Sequence, residues 1–224
     1  MQLSDAVQSR TKSQPDANDC VVVIDDDPEF LESLGRLLRS VGLRSKLFTS
    51  IAEFASSKPP DEPTCLILDV RMPGKSGLDF QRDLATAGVT LPIVFITGHG
   101  DVPMSVQAMK AGAIEFLTKP FRDQDLLDAV NQGLARDRAR RADEVALRAL
   151  RARFEGLTPR EREILLRVVE GRLNKQIAAE MEITETTVKV HRSNAMRKID
   201  ASSFADLCRM VDRLKMLPDE THQS

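Results

Sequence analysis

Short apolar runs, each ending in a polar side chain, recur along the first 120 residues. Residues 65–68 read Cys-Leu-Ile-Leu, Asp69 ends the run, and a Pro-Gly pair follows at residues 73–74. An uninterrupted apolar run of this length is typical of a strand buried on both faces of a parallel sheet. We therefore expect Asp69 at the carboxyl end of that strand, where open α/β sheets bind their ligands.

Three more runs follow the same pattern. They are residues 21–24 with Asp25, Asp26 and Asp27, residues 92–96 with Thr97, and residues 114–118 with Lys119. If these strands are parallel, their carboxyl ends share one edge of the sheet. The pattern thus predicts a crevice lined by carboxylates, a hydroxyl and an ammonium.

Amphipathic segments alternate with the strand candidates. Apolar residues between positions 30 and 41 recur at helical spacing, residues 44–48 are a plausible second strand, and shorter helices are expected near residues 51–56, 77–87 and 102–111. Strand and helix alternate five times. With right-handed crossovers, residues 20–135 should form a CheY-like (flavodoxin-like) doubly wound, five-stranded parallel sheet with helices on both faces.

A long fifth helix is expected from Asp123 as far as Gly156, with Gly133 as its weak point. Its second half, residues 136–156, is rich in Arg, Ala and Glu and is predicted to be a helical linker. Two interpretations stay open at this point. The linker is either a solvated spacer or a coiled-coil-like arm that pairs two chains.

Residues 157–217 carry the pattern of four short helices, which predicts a small all-α domain. Thr158 and Glu161 have capping-box spacing around Pro159. The predicted N-caps of the four helices are Thr158, Asn174, Thr184, and Ser202 or Ser203. Residues 1–19 and 218–224 are polar and are expected to be tails, the first one disordered.

Charge divides the chain in the same way. Residues 20–135 hold 11 Lys and Arg against 16 Asp and Glu, whereas residues 136–217 hold 19 against 13. An acidic first half and a basic second half suggest a regulatory domain joined to one that binds nucleic acid. No signal peptide or membrane span is evident, so we expect a cytoplasmic protein without a membrane partner. The scattered Cys20, Cys65 and Cys208 suggest reduced core thiols.

The predicted crevice has a recognisable chemistry. Asp25, Asp26 and Asp69 would crowd three carboxylates, whose repulsion must be neutralised. Mg²⁺ suits a site with few carboxylates. Together with Lys119 and Thr97, the cation and a carboxylate nucleophile would meet the needs of phosphoryl transfer.

The motifs at residues 24–27, 68–74, 97–98 and 119–121 resemble the receiver domain of two-component response regulators. The resemblance covers residues 20–135. It implies that Asp69 accepts a phosphoryl group from the phosphohistidine of a sensor histidine kinase. It also implies that the domain is no enzyme beyond assisting its own phosphorylation and dephosphorylation.

The same resemblance implies roles for the neighbouring residues. Asp26, Asp69 and the backbone carbonyl of Arg71 would bind Mg²⁺ directly, with Asp25 acting through water. Lys119 would pair with the phosphoryl oxygens, and the Lys119-Pro120 bond would be cis. Thr97 would move toward the phosphoryl group while Phe116, the aromatic switch residue, rotates inward.

Residues 97–104 are similar to the FixJ branch of the NarL/FixJ family in particular. In that branch the face of the fourth helix dimerises on phosphorylation. Val106 and Lys110 match positions on that face, so the resemblance implies a homodimer of the phosphorylated form.

Residues 174–181 and 184–199 have helix-turn-helix spacing, which would place the second helix in the major groove of double-stranded DNA. Val188, Ala195 and Ile199 share one face and should be core. The motifs at 157–163, 174–178 and 187–192 resemble the LuxR-type domain. The resulting candidate DNA contacts are Lys189, Val190, Ser193, Arg192, Asn174, Lys175, Thr186, Thr187, His191, Arg197 and Lys198.

These observations predict a DNA-binding transcriptional response regulator, with RNA polymerase as a further partner. Two alternatives remain open. The Asp25-x-Asp27 pattern after a strand superficially resembles the nucleophile motif of haloacid-dehalogenase-type phosphatases, in which the second Asp is the acid–base. A protein-only adaptor whose helix-turn-helix no longer binds DNA is the other.

Overall fold

The computed structural model describes residues 18–98 and 100–215, so the predicted tail 218–224 and nearly all of the predicted tail 1–19 lie outside the described residues. The chain divides into two units, residues 1–141 and 142–224. This division falls later than the predicted boundary at residue 135. The reason is that the following turn of helix, including Asp137 and Arg141, is hydrogen-bonded to the first unit.

The first unit is built on a parallel sheet. Its strands are β1 (Cys20–Ile24), β2 (Arg44–Phe48), β3 (Thr64–Asp69), β4 (Ile93–Thr97) and β5 (Glu115–Thr118). Their order is β2-β1-β3-β4-β5, with every neighbouring pair parallel. The predicted doubly wound architecture is confirmed, and the carboxyl ends of β1, β3, β4 and β5 share one edge.

Helices cover both faces of this sheet. They are α1 (Pro28–Ser40), α2 (Ile51–Ser56), α3 (Gly77–Thr86), α4 (Val102–Lys110) and α5 (Asp123–Glu155). Because side chains alternate along a strand, Val21 and Val23 face one core with α1 and α5, whereas Val22 and Ile24 face the other with α2, α3 and α4. Burial on both faces accounts for the uninterrupted apolar runs.

Gly133, the expected weak point of α5, is a point of close packing. A Cβ atom there would lie 2.5 Å from Cys65 Sγ. Glycine therefore lets α5 approach β3, and the helix continues through it. Cys65 and Cys20 are free and buried, as expected, whereas Cys208 is partly exposed.

The second unit contains α6 (Pro159–Val169), α7 (Asn174–Glu180), α8 (Glu185–Ile199) and α9 (Phe204–Lys215). The predicted capping box is present, since Thr158 N–H donates to Glu161 Oε2 at 2.9 Å and Glu161 N–H donates to Thr158 Oγ1 at 3.2 Å. Among the described residues, no helix combines the length and apolarity that a bilayer span requires.

The prediction that Asn174 is the N-cap of α7 is wrong by one residue. Leu173 occupies the cap position, and its N–H donates to Gln176 Oε1 at 2.8 Å. Asn174 is the first helical residue, and its side chain instead accepts a hydrogen bond from Arg192. A glutamine three residues after the cap thus satisfies the helix terminus without a polar cap residue.

Candidate functional site

An acidic crevice lies at the carboxyl edge of the sheet. Asp25 and Asp26 follow β1, Asp69 ends β3, and one carboxylate oxygen from each lies within 4.8 Å of the other two. The parallel register, with Ile24 opposite Leu68, places Asp25 level with Asp69. Asp25 and Asp69 are buried and Asp26 is exposed. The predicted convergence of these carboxylates is confirmed.

Lys119 brings a positive charge to the same point. Its Nζ lies 2.7 Å from Asp25 Oδ2 and 3.5 Å from Asp69 Oδ2. Its backbone N–H donates to Thr97 O at 2.8 Å, which fixes the start of the loop after β5. The Lys119-Pro120 peptide bond is cis, as predicted. Among the described residues, two of the three carboxylates therefore pair with the Lys119 ammonium, and the crevice keeps an excess of negative charge.

Local backbone geometry orients two of the carboxylates. Asp25 Oδ1 accepts a hydrogen bond from Asp27 N–H at 2.9 Å, and Asp69 Oδ1 accepts one from Arg71 N–H at 3.0 Å. Asp27 has a different role, because its Oδ1 accepts the N–H groups of Glu29 and Phe30 and caps α1. A capping carboxylate is committed to the helix terminus, which argues against Asp27 as the acid–base of a phosphatase.

The environment of Asp69 favours a bound cation. Burial raises the pKa of Asp69 above the usual range of an aspartate, although the Arg71 N–H and the Lys119 ammonium act in the opposite direction. The ionised carboxylate is therefore under-compensated by its neighbours. Within the described residues, the clustered candidate ligands are carboxylate oxygens, and the exposed Asp26 leaves one side open to solvent. This donor set fits a hard divalent cation such as Mg²⁺.

Thr97 and Phe116 stand beside the crevice on neighbouring strands. Thr97 is fully buried at the end of β4, and the partly buried ring of Phe116 lies 6.3 Å from that of Phe95. Gly100 fills the space between them, since a Cβ atom there would lie 2.8 Å from Phe116 Cε1 and 2.9 Å from Thr97 Cγ2. The pattern of apolar residues carries no sign of this role of Gly100, although the residue stands in a Gly-x-Gly segment.

The outer face of α4 is apolar and exposed. Val106 and Lys110, the residues matched to a dimer face, are both exposed, and so are Val102 and Met109. The buried Ala108 and the partly buried Met104 pack α4 against the core. Valine and methionine at helical spacing therefore face outward here, which is typical of an interaction surface.

Helix α8 has one buried and one exposed face. Val188, Ala195 and Ile199 are buried, as predicted. The exposed residues of the predicted DNA surface are Lys189, Val190, Ser193, Thr186, Arg197 and Lys198 on α8, with Lys175 on α7. The two helices are joined by a turn of four residues, 181–184, so the helix-turn-helix geometry is present.

Four candidate DNA contacts have partners inside the unit that the sequence did not reveal. Lys198 Nζ lies 2.7 Å from Glu161 Oε2, and Arg192 donates to Asn174 Oδ1 at 3.3 Å. The Thr187 hydroxyl lies 2.8 Å from that of the N-cap Thr184. A further candidate, His191, is partly buried. Sequence spacing identified the exposed face of α8 but not these contacts between side chains.

Comparison with known proteins agrees with this division. Residues 21–131 match the family described as response regulator receiver domain, and residues 155–211 match bacterial regulatory proteins, luxR family. Nodulation protein W of Bradyrhizobium diazoefficiens is 49% identical over 204 residues, which cover 91% of this chain and 90% of that protein. The transcriptional regulatory protein FixJ of Azorhizobium caulinodans is 43% identical over 191 residues, covering 85% and 90%.

Solved structures give the same result. The response regulator StyR has a TM-score of 0.77 at 46% identity, covering 88% of this chain and 99% of that one. Full-length FixJ from B. japonicum has a TM-score of 0.53 at 37% identity, covering 89% and 98%. The fold and the crevice define a response regulator whose output domain is a LuxR-type helix-turn-helix. The chain belongs to the NarL/FixJ family of two-component response regulators.

Proposed function

We propose that Asp69 is the phosphoacceptor of this regulator and that a sensor histidine kinase is the donor. The observation that carries this proposal is the buried Asp69 carboxylate beside the Lys119 ammonium and two further aspartates. An Asp69 oxygen would form the new bond to phosphorus while the P–N bond of the kinase phosphohistidine breaks. The imidazole keeps that electron pair and takes up a proton.

The neighbouring residues have supporting roles in this proposal. Asp26, Asp69 and the backbone carbonyl of Arg71 would hold Mg²⁺ directly, and Asp25 would act through water. When bound, the cation supplies positive charge for the equatorial phosphoryl oxygens. Lys119 would add a second positive charge, because its ammonium lies 3.5 Å from Asp69 Oδ2.

The phosphoryl group would act on the output through Thr97 and Phe116. It brings roughly −1.5 to −2 charges and three strong acceptors to the crevice. We propose that the Thr97 hydroxyl turns toward these acceptors and that Phe116 rotates inward. The packing of both side chains around Gly100 supports a coupled movement. The exposed α4 face with Val106 and Lys110 would then form a homodimer.

For the output we propose binding of double-stranded DNA, followed by contact with RNA polymerase. Lys189, Val190 and Ser193 would face base edges, since they are exposed on α8. Backbone phosphates would meet the further proposed contacts Lys175, Thr186, His191, Arg197, Asn174, Arg192 and Thr187. Lys198 is a further proposed phosphate contact, because it is exposed on α8 even though its ammonium also pairs with Glu161.

Asp69→Asn tests the phosphoacceptor directly. We expect the variant to take up no acid-labile phosphate from acetyl phosphate, because an amide oxygen cannot act as the nucleophile. Asp128→Asn, an exposed aspartate on α5, is the matched control and should label like the unchanged chain. Undiminished labelling of Asp69→Asn would remove Asp69 from this role.

Sedimentation with Mg²⁺ and beryllofluoride tests dimerisation. We expect the mass to double on activation and Val106→Glu to prevent this, because a charge on the exposed apolar face opposes its burial. Val89→Glu changes an equally exposed valine that lies between α3 and β4, away from α4, and serves as the control. An unchanged mass on activation of the unsubstituted chain would contradict the proposed dimer.

Lys189→Ala tests the DNA surface. We expect DNA binding to weaken about tenfold at fixed salt and its salt dependence to flatten, because a cation near the duplex is lost. Lys58→Ala removes an exposed lysine from the first unit and should change neither quantity. Gel shifts over a salt series measure both. Unchanged affinity and slope in Lys189→Ala would exclude α8 as the reading helix.

A further inference from the structure

The crevice lysine has a third partner besides the two carboxylates. Lys119 Nζ lies 3.7 Å from the centroid of the Phe30 ring. This distance is well within the range over which an ammonium is attracted to the face of an aromatic ring. Phe30 lies in the first turn of α1, and periodicity alone had marked it only as an apolar helix residue.

Two contacts fix the Phe30 ring from opposite directions. Asp27, the N-cap of α1, accepts the Phe30 N–H at 3.2 Å and so sets the first turn of the helix. The Phe121 ring meets the Phe30 ring in an edge-to-face arrangement, with centroids 6.3 Å apart and planes at 85°. Phe121 comes two residues after Lys119. One short loop therefore contacts Phe30 through both an ammonium and an aromatic ring.

A ring holds an ammonium differently from a carboxylate. Asp25 and Asp69 attract Lys119, but both belong to the proposed phosphoryl and cation site, and their charges are redistributed when that site is filled. The Phe30 ring carries no net charge, so it can retain the ammonium without neutralising it. A free lysine side chain samples many rotamers. A fixed neutral partner limits the rotamers of Lys119 before the phosphoryl group arrives, so less conformational entropy is lost at that step.

We propose that Phe30 is a positioning residue, which holds the Lys119 ammonium beside Asp69 so that the lysine is already in place for the incoming phosphoryl group. This inference rests on the proposed role of Asp69 as phosphoacceptor. Phe30 acts through Lys119 and touches neither the donor nor the reacting oxygen. Its replacement should slow phosphoryl uptake without removing it.

The first test measures the rate of acetyl phosphate labelling in the full chain with Mg²⁺. We expect Phe30→Leu to lower the rate about three- to tenfold, because the ring face is lost while apolar volume is largely kept. Phe30→Tyr, which keeps the ring face, should restore most of the rate. Phe54→Leu loses a ring from the opposite core and should label normally.

A double-mutant cycle separates positioning from a merely structural role. In a Lys119→Ala background, Phe30→Leu should cause no further loss of rate, because the partner of the ring is already gone. An equal loss in both backgrounds would overturn the inference. If the unsubstituted chain labels and Phe30→Leu labels at the same rate, the inference fails while the proposed role of Asp69 stands.

A spectroscopic measurement tests the geometry independently of phosphorylation. Methylene protons of Lys119 near the face of Phe30 should resonate upfield from those of an exposed lysine such as Lys58. We expect Phe30→Leu to abolish this displacement and Phe30→Tyr to keep it. Lys119 resonances at ordinary positions in the unsubstituted chain would overturn the inference, even if no donor labels the protein.

Discussion

The two ends of the parallel sheet both bury aspartates, but they balance the charge in opposite ways. At the carboxyl end, Asp25, Asp26 and Asp69 share the single ammonium of Lys119. At the amino end, a fully buried Asp137 on α5 contacts two guanidinium groups. The first end has too little positive charge within the described residues, and the second has enough.

Every oxygen of Asp137 is occupied. Oδ1 accepts Nε and an Nη of Arg140 at 2.9 and 2.6 Å. Oδ2 accepts Arg141 Nε at 2.8 Å and the Thr64 N–H at the start of β3 at 2.9 Å. Nearby, the buried Asp19 is paired with Arg138. Such saturation is what a buried charge needs for a structural role.

The difference shows that the role of a buried carboxylate can be inferred from the partners of its oxygens. Asp137 is complete as it stands, so its expected task is to fix α5 against the sheet. The charge of the carboxylates at the carboxyl end of the sheet is only partly compensated until a bound cation or a phosphoryl group changes it. Carboxylates in a crevice whose charge is only partly compensated indicate a binding site. A buried carboxylate whose oxygens all accept hydrogen bonds from charged or backbone donors indicates a structural role.

Asp137→Asn should have the largest effect on stability. The change leaves the Arg140 and Arg141 charges without their buried partner, so we expect the free energy of unfolding to fall by about 3 kcal/mol or more. Urea unfolding measures this, and Asp128→Asn on the exposed side of the same helix should change it little. Equal stability of the two variants would break the contrast between the ends.

The sequence predicted one end of the sheet and not the other. Asp69 ends a buried apolar run and Lys119 directly follows a strand of the same sheet, so the strand pattern alone predicts that the two side chains lie close together. Asp137 lies inside an Arg-rich stretch that resembles a solvated linker. Its contact with Thr64 spans 73 positions. Polar residues on a helix carry no local sign that they are buried, because burial depends on the distant segment that covers them.

Gly77→Ala should have the next largest effect and tests how tightly the carboxyl end is built. A Cβ atom on Gly77 would lie 2.4 Å from the Asp69 backbone oxygen, so the backbone must move. We expect a loss of about 1–3 kcal/mol in unfolding free energy and slower labelling of Asp69. Gly98→Ala is the matched control, because its Cβ would meet nothing within 4 Å.

A Gly77→Ala variant as stable and as readily labelled as Gly98→Ala would show that the position of Asp69 tolerates displacement. The sequence had marked residues 76–77 only as the start of a helix. The spacing of apolar residues gives no information about two backbone segments that approach closely. The need for glycine at position 77 is therefore recognised only in the structure.

In the second unit, sequence predicted the caps that use their own side chains, at Thr158 and Thr184. It missed the Leu173 cap, which depends on a glutamine, and the ion pair between Lys198 and Glu161. Both omissions have the same cause. The polar partner of each residue lies on another turn or another helix, and sequence spacing gives no information about which partner is chosen.

Glu161→Gln extends the comparison to a buried acid of the second unit. Hydrogen bonds from Lys198 and from the Thr158 backbone lower the pKa of Glu161 to about 2. A lowered pKa stabilises the fold above the unfolded-state value of about 4.3, and that contribution is lost as pH falls toward 2. We expect Glu161→Gln to lower the free energy of unfolding by about 1 kcal/mol at pH 7. This loss should become smaller as pH falls below about 4.5.

Urea unfolding followed through the methyl signals of Val188 reports on this unit. Glu163→Gln changes a partly exposed neighbour on α6. It is the control for general charge loss and should alter the pH profile less. A pH-independent difference between Glu161→Gln and the unsubstituted chain would mean that the ion pair with Lys198 contributes nothing to stability.

Asp69→Asn should have the smallest effect on stability and the opposite sign. Burial raises the pKa of Asp69, so folding without a bound cation disfavours the ionised carboxylate. In EDTA at neutral pH, the variant should be more stable by less than about 1 kcal/mol. The gap should close as pH falls, because protonation removes the same charge. If Asp69→Asn instead destabilised the fold as Asp137→Asn does, the two ends of the sheet would obey one rule, and charge balance would not distinguish a binding site from a structural pair.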